Sequence, residues 1–144
     1  MATEADHIAL ANKNHAVLVH LLEDVEKFPE WVAVTAFYKA LQIVEAMFVH
    51  EHGRSCHGHP ERLNALKRRG YEEEHKHFRV LWAASSVARY LHDAGSGRSY
   101  CSFTDYMAPD RVRKFVQKRL GGLECNAVRH LSDEGRNALE RFEW

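Results

Sequence analysis

His59 and Arg62 stand three residues apart in the string His59-Pro60-Glu61-Arg62, at the head of a short apolar-periodic segment. On a helix that spacing puts both side chains on one face. An imidazole can move a proton near neutral pH, and a guanidinium can hold two oxygens of a phosphate through parallel donors. The functional reading is a phosphate or RNA contact, with Arg62 as anion binder and His59 as proton donor or acceptor. The architectural reading has His59 capping the helix and Arg62 paired with an acid such as Glu45. Both readings stand at this point.

Immediately upstream, residues 50–59 read HEHGRSCHGH and hold the densest set of metal-ligand types in the chain: His50, His52, Cys56, His57 and His59. Imidazole and thiolate donors suit zinc or nickel. His50 and His52 are two apart, so on a helix they point about 200° from each other and converge only if the helix frays. The spacing matches no standard zinc module, and the plainer reading is a solvated, His-rich loop. No Gly-rich phosphate loop, no GxSxG and no HExxH occurs.

Those residues are carried by segments of helical period. Thr3-Glu4-Ala5-Asp6 resembles a capping box with an Asp at the third position. Ile8, Ala11, His15, Leu18, Leu22 and Val25 then recur in steps of three and four, predicting a helix that ends near Lys27. Pro29 disfavours helical backbone at Phe28. A second helix is predicted from about Glu30 to His52, with Val34, Phe37, Leu41, Val44 and Phe48 in one stripe. Trp31, Tyr38 and Met47 widen it, so this helix is expected to be central. Gly53 stops it, and a loop, Gly53 to Gly58, leads to a short helix opened by Pro60 and closed by Gly70.

A further helix is expected from Glu72 to Asp93, burying Phe78, Leu81, Trp82, Ser85, Ala88 and Leu91. Arg98 to Met107 reads as an irregular loop pinned by Tyr100, Phe103 and Tyr106. The next helix starts near Pro109 with Val112, Phe115, Val116 and Leu120 inward. Gly121-Gly122 is expected to bend or briefly break it. Ser132 restarts a short terminal helix carrying Leu139 and Phe142. No run alternates with period two long enough for a strand. The expectation is an all-α bundle of about four main helices plus short additional ones, forming a single domain over residues 1–144.

Composition sets the limits of function. The chain has 20 Lys and Arg against 20 Asp and Glu, so a strongly basic polyanion binder is disfavoured. Three cysteines without a CxxC argue against a disulfide framework and for a reducing cytoplasm. The first residues lack a basic stretch followed by an apolar one, so no signal peptide is expected. Trp31 to Val49 is interrupted by Thr35, Lys39, Gln42 and Glu45 and is not expected to span a bilayer.

Ala36-Phe37-Tyr38-Lys39-Ala40-Leu41-Gln42-Ile43-Val44-Glu45-Ala46 resembles the second-helix signature of a group of HEPN-like proteins, which read close to AFYAALHLVEA there. In that group an HxxR motif follows, matched by His59-Pro60-Glu61-Arg62. A later string similar to SRRARY is matched by Ser85-Ser86-Val87-Ala88-Arg89-Tyr90. The resemblance covers about Trp31 to Tyr90. It implies a HEPN-like helical bundle that forms a homodimer. Its function would be a nucleic-acid- or protein-binding module in a prokaryotic defence or toxin–antitoxin context, with RNA or an antitoxin-like protein as partner.

Many HEPN-like proteins are metal-independent endoribonucleases with Arg, four to six residues, then His late in the domain. Here Arg129 and His130 are adjacent, and the late motif is missing. Formal matches occur only at Arg54…His59 and at Arg68 or Arg69…His75. Three hypotheses therefore stand: from the resemblance, a binding module or a ribonuclease using His59 or His75 with a nearby Arg; and from the residues themselves, a metal-binding protein using residues 50–59. Tyr38, Arg54, Arg89 and Tyr90 complete the set of candidate binding residues.

Overall fold

The structure, a computed structural model, describes residues 1–144 and is all-α. Four long helices form the bundle: α1 (Glu4–Leu22), α2 (Pro29–His52), α4 (Glu72–Tyr90) and α6 (Pro109–Ala127). Three short α-helices, α3 (His59–Leu66), α5 (Phe103–Tyr106) and α7 (Asp133–Ala138), and a 3-10 turn at Val128–His130 complete it. The only strand-like pairing is an isolated bridge between His92 and Ser99.

The chain starts α1 with a capping box: Thr3 Oγ1 accepts from the Asp6 amide at 3.2 Å, and Asp6 Oδ2 accepts from the Thr3 amide at 2.8 Å. An Asp at the third position thus closes the reciprocal pair that Glu usually closes. The helix ends at Leu22, five residues before the expected Lys27, and turns occupy residues 23–27. Helix α2 packs on α1, α4 and α6. Phe37, Ile43, Val44, Met47 and Phe48 are buried, and the Phe37 and Phe78 rings meet at 5.5 Å. By length and apolarity α2 would suffice to cross a membrane; in this fold 83% of its most apolar window is covered by the other helices.

Five expectations are corrected. Trp31 does not widen the buried stripe but is 62% exposed, because it stands on the outward side of a turn whose other residues, Pro29, Val32 and Ala33, are buried. Leu91 does not extend the α4 stripe: it takes a left-handed conformation (φ 57°) that ends the helix and leaves its side chain exposed. Phe103 and Tyr106 belong to a helical turn capped by Ser102 rather than to an irregular loop. Gly121-Gly122 does not break α6, which is continuous from Pro109 to Ala127. A Cβ on Gly122 would lie 2.4 Å from His77 Nε2, and one on Gly121 3.2 Å from Trp144 Nε1. The glycines make room for two rings, and their poor helix propensity, about 1 kcal/mol each, is overridden by that packing. Leu139 and Phe142 follow α7 in an extended segment rather than riding on it.

Candidate functional site: the His59–Arg62 corner and its aromatic rim

Gly58, at φ +89°, turns the chain into α3, and Pro60 supplies the fixed φ of its first turn. This start aims Arg62 inward. Its Nε donates to Glu45 Oε1 at 2.5 Å, and both side chains are nearly sealed from solvent, at 7% and 4% exposure. The second carboxylate oxygen, Glu45 Oε2, accepts from the Cys56 amide at 2.9 Å, which anchors the loop to α2. Arg62 Nη1 lies 3.0 Å from His59 Nδ1. The pairing of Arg62 with Glu45 is the architectural reading of HxxR, and it leaves this guanidinium no open face for a phosphate.

The bond from Arg62 makes His59 Nδ1 an acceptor, so the neutral ring carries its proton on Nε2. Burial holds His59 below the usual imidazole range, and the Arg62 and Arg89 charges push the same way. Near neutral pH His59 therefore offers an N–H donor at Nε2, with no lone pair there to take a proton.

Arg89, on the last turn of α4, reaches back across α2. Its Nη1 donates to the Tyr38 hydroxyl at 3.1 Å and its Nε to the Ser85 carbonyl at 3.3 Å. Its guanidinium carbon lies 5.0 Å from the Tyr90 ring centroid, 5.6 Å from that of Tyr38 and 5.8 Å from that of Phe37. Stacking of this kind suits the planar, weakly hydrated guanidinium. Tyr90 is 68% exposed, and Trp31 lies two turns before Tyr38 on the same side of α2. His59 packs on Phe37 and on Trp82, with centroids 5.5 and 6.0 Å apart. Tyr38, His59, Arg62 and Arg89, distant in sequence, thus share one corner, with Tyr90 as its exposed rim and Trp31 two turns further along α2.

The other candidates disperse. His50 Nδ1 faces Glu4 at 3.1 Å, His52 Nε2 contacts the Tyr71 hydroxyl at 2.9 Å, and His57 is exposed. The Cys56 thiol is pushed up to about 11 by burial and by Glu45 and Glu61. The five expected ligands do not converge, and no three His, Cys, Asp or Glu side chains are arranged to hold a metal ion. Arg54 is exposed and lines a cleft of about 240 Å³ with Cys56, Glu61 and Arg68. Arg68 bears on Cys56 and Tyr71, whereas the cations bearing on His75 are Arg79 and Lys67.

Two polar clusters, one buried and one part-buried, escaped the sequence reading. Lys39, fully buried on α2, donates to Glu124 Oε1 at 2.7 Å, His15 Nδ1 at 2.7 Å and the Glu140 carbonyl at 2.8 Å. Those three acceptors satisfy all three ammonium protons. The second cluster joins Glu51, Tyr71, Glu74, Arg129 and His130. His130 Nδ1 lies 2.9 Å from Glu51 and its Nε2 3.4 Å from Glu74, while the Tyr71 hydroxyl donates to Glu51 at 2.6 Å. The available signal was a charge inside an apolar stripe: Lys39 and Glu45 interrupt the most hydrophobic helix, which demands buried partners. Compared with known protein families, curated proteins and solved structures, the chain matches none.

Proposed function

We propose that this protein is a HEPN-like binding module for single-stranded RNA in a prokaryotic defence or toxin–antitoxin setting, working as a homodimer, and that it does not cleave what it binds. The observation that carries this reading is the Arg89 guanidinium stacked against Tyr38 and Tyr90 at the edge of an exposed aromatic rim. Aromatic faces take bases of any identity, at about 1–3 kcal/mol per stacked base, and a neighbouring guanidinium supplies the phosphate contact. Such a site needs no excess of positive charge over the whole chain. His59 adds one N–H donor toward a phosphate oxygen or a 2′-hydroxyl. Cleavage would need a base and a cation on the phosphorane; His59 Nε2 carries a proton, and Arg62 is tied to Glu45.

Fluorescence anisotropy with a labelled single-stranded oligoribonucleotide tests the proposal. Arg89→Ala and Tyr90→Ala should each weaken binding about tenfold or more, while circular dichroism shows both variants folded. Arg62→Ala should lower the melting temperature and leave binding per folded molecule intact. Equal binding by the parent and Arg89→Ala would overturn the assignment. Metal-free RNA cleavage that vanishes in His59→Ala would replace it with the ribonuclease reading.

A further inference from the structure

Trp82, which packs on His59, also lines a second cleft, of about 510 Å³, between α3, α4, α5 and the turn at residues 93–97. Its size falls within the range of small-molecule sites, roughly 300–1,000 Å³. His75, Arg79 and Trp82 line it from α4 at spacings of four and three, so they stand in one row along that helix. Lys67 faces them from the end of α3, and Tyr106 closes the opposite wall. Neither Lys67 nor Arg79 has a carboxylate within 4 Å, although the chain has as many acids as bases and Lys76, one residue beyond His75, pairs with Glu73. The one acid on the wall, Asp93, is buried, and its Oδ1 accepts from the Gly95 amide at 2.7 Å and the Ser96 amide at 3.1 Å. Two unpaired cations and an imidazole thus meet beside an indole.

We infer that this cleft is a binding site for a phosphate monoester attached to a planar ring, the chemistry of a nucleotide or of the 5′ end of an RNA strand. Lys67 and Arg79 hold the phosphate oxygens, Arg79 through its paired donors. The ring lies against Trp82. His75 is held below the usual imidazole range first by burial and then by Arg79 and Lys67, which places the fields of both cations at one point in the cleft. A phosphate seated there relieves that repulsion. The site is distinct from the Arg89 rim, shares only the Trp82 wall with that corner, and needs no strand to be occupied.

Isothermal titration with AMP tests the inference on the intact protein. AMP should bind saturably and adenosine at least about tenfold more weakly, since the charged contacts are made to phosphate. The double variant Lys67→Ala/Arg79→Ala should lose at least about tenfold in AMP affinity. Both side chains are exposed, so the fold should persist, as circular dichroism would verify. Lys13→Ala, an exposed cation on α1, should bind AMP as the parent does. No saturable AMP binding at millimolar concentration, or unchanged affinity in the double variant, would overturn the inference. A 5′-phosphorylated oligouridylate that binds about tenfold tighter than its 5′-hydroxyl form would identify the strand end as the source of the phosphate. Equal binding of the two oligonucleotides, with AMP still bound through Lys67 and Arg79, would identify a free nucleotide. The AMP measurement reads the cleft alone, so its outcome is separate from that of strand binding at Arg89.

Discussion

Two buried triads hang from α2, and they share one plan. In each, a cation bonds a carboxylate and also donates to the Nδ1 of a histidine: Lys39 with Glu124 and His15, Arg62 with Glu45 and His59. What covers them differs. The Lys39 triad is closed by the segment after α7. Glu140 supplies a carbonyl, the Phe142 amide donates to Glu124 Oε2 at 3.2 Å, and the Phe142 ring lies 4.9 Å from the ammonium and 4.3 Å from His15. Trp144 stacks on Phe142 in turn. The Arg62 triad is closed on one side only. Its histidine edges onto the aromatic rim, and its carboxylate sits behind a loop beside a cleft. The same polar unit serves as a clamp where the chain wraps it and as the floor of a surface site where the chain leaves it open.

Chemistry follows the covering. Burial pushes Lys39 below the ordinary ammonium range and Glu124 above the ordinary carboxylate range, and each is pulled back by the other's charge. Neither keeps its charge comfortably without its partner. A guanidinium cannot lose its proton in this way, so Arg62 stays charged however dry its surroundings become. An ion pair that must border an opening is better built on arginine.

The contrast can be broken first at Glu124. Glu124→Ala strands the Lys39 ammonium in a closed site and should cost about 3–5 kcal/mol of stability in urea unfolding. Retention of the parent stability would show that the clamp holds nothing. Arg62→Ala should cost less, about 2–3 kcal/mol, because Glu45 keeps the Cys56 amide as donor and water can enter from the adjoining cleft. A loss equal to that of Glu124→Ala in the same assay would abolish the distinction drawn from the covering. Phe142→Ala removes a ring from over the ammonium and should cost about 1–2 kcal/mol. It should also bring Lys39 back toward the ordinary lysine range, readable from side-chain 15N shifts; an unmoved Lys39 would mean that Phe142 is not the seal.

The smallest effect is on pH, and it should appear in both triads. His15 and His59 are held below the usual imidazole range, chiefly by burial and then by Lys39 and by Arg62 with Arg89. His75 and His77 are lowered too, burial first. A lowered histidine binds protons more readily in the unfolded chain than in the folded one. Stability from these groups is therefore complete above the ordinary histidine value of 6.5 and declines as pH falls below it. A melting temperature that stays level from pH 8 to 7 and drops between pH 6.5 and 5.5 is expected. In His15→Gln and His59→Gln the drop should be shallower, and a slope identical to the parent's in both would assign the effect elsewhere.

The corner of the Arg62 triad was half legible in the sequence. Glu45 was the natural partner for Arg62 because an acid in an apolar helix needs a cation, and the HxxR turn lies 17 residues downstream. The contact between Arg89 and Tyr38, 51 residues apart, is not legible in the sequence, although each residue is a candidate in its own right. The Lys39 clamp is not legible in the sequence, since its acid comes 85 residues later on α6 and its lid from an extended segment whose apolar spacing reads as helical.

Helical period, a capping box at Thr3, the proline starts and the glycine stop at Gly53 are local, and each is settled by sterics and hydrogen bonds within a few residues. The sequence alone therefore determined an all-α chain with α2 at its centre. Which side of α2 stayed bare, whether Gly121-Gly122 broke a helix, and where the charges of α2 found partners depended on packing among elements far apart in the chain. His77 and Trp144 needed the space that two glycines leave, and Trp31 stood on the outward side of a turn whose Val32 and Ala33 are buried. Burial of a charge is tolerable only with a partner at bonding distance, and a one-dimensional pattern can announce the need for that partner without saying which distant residue meets it.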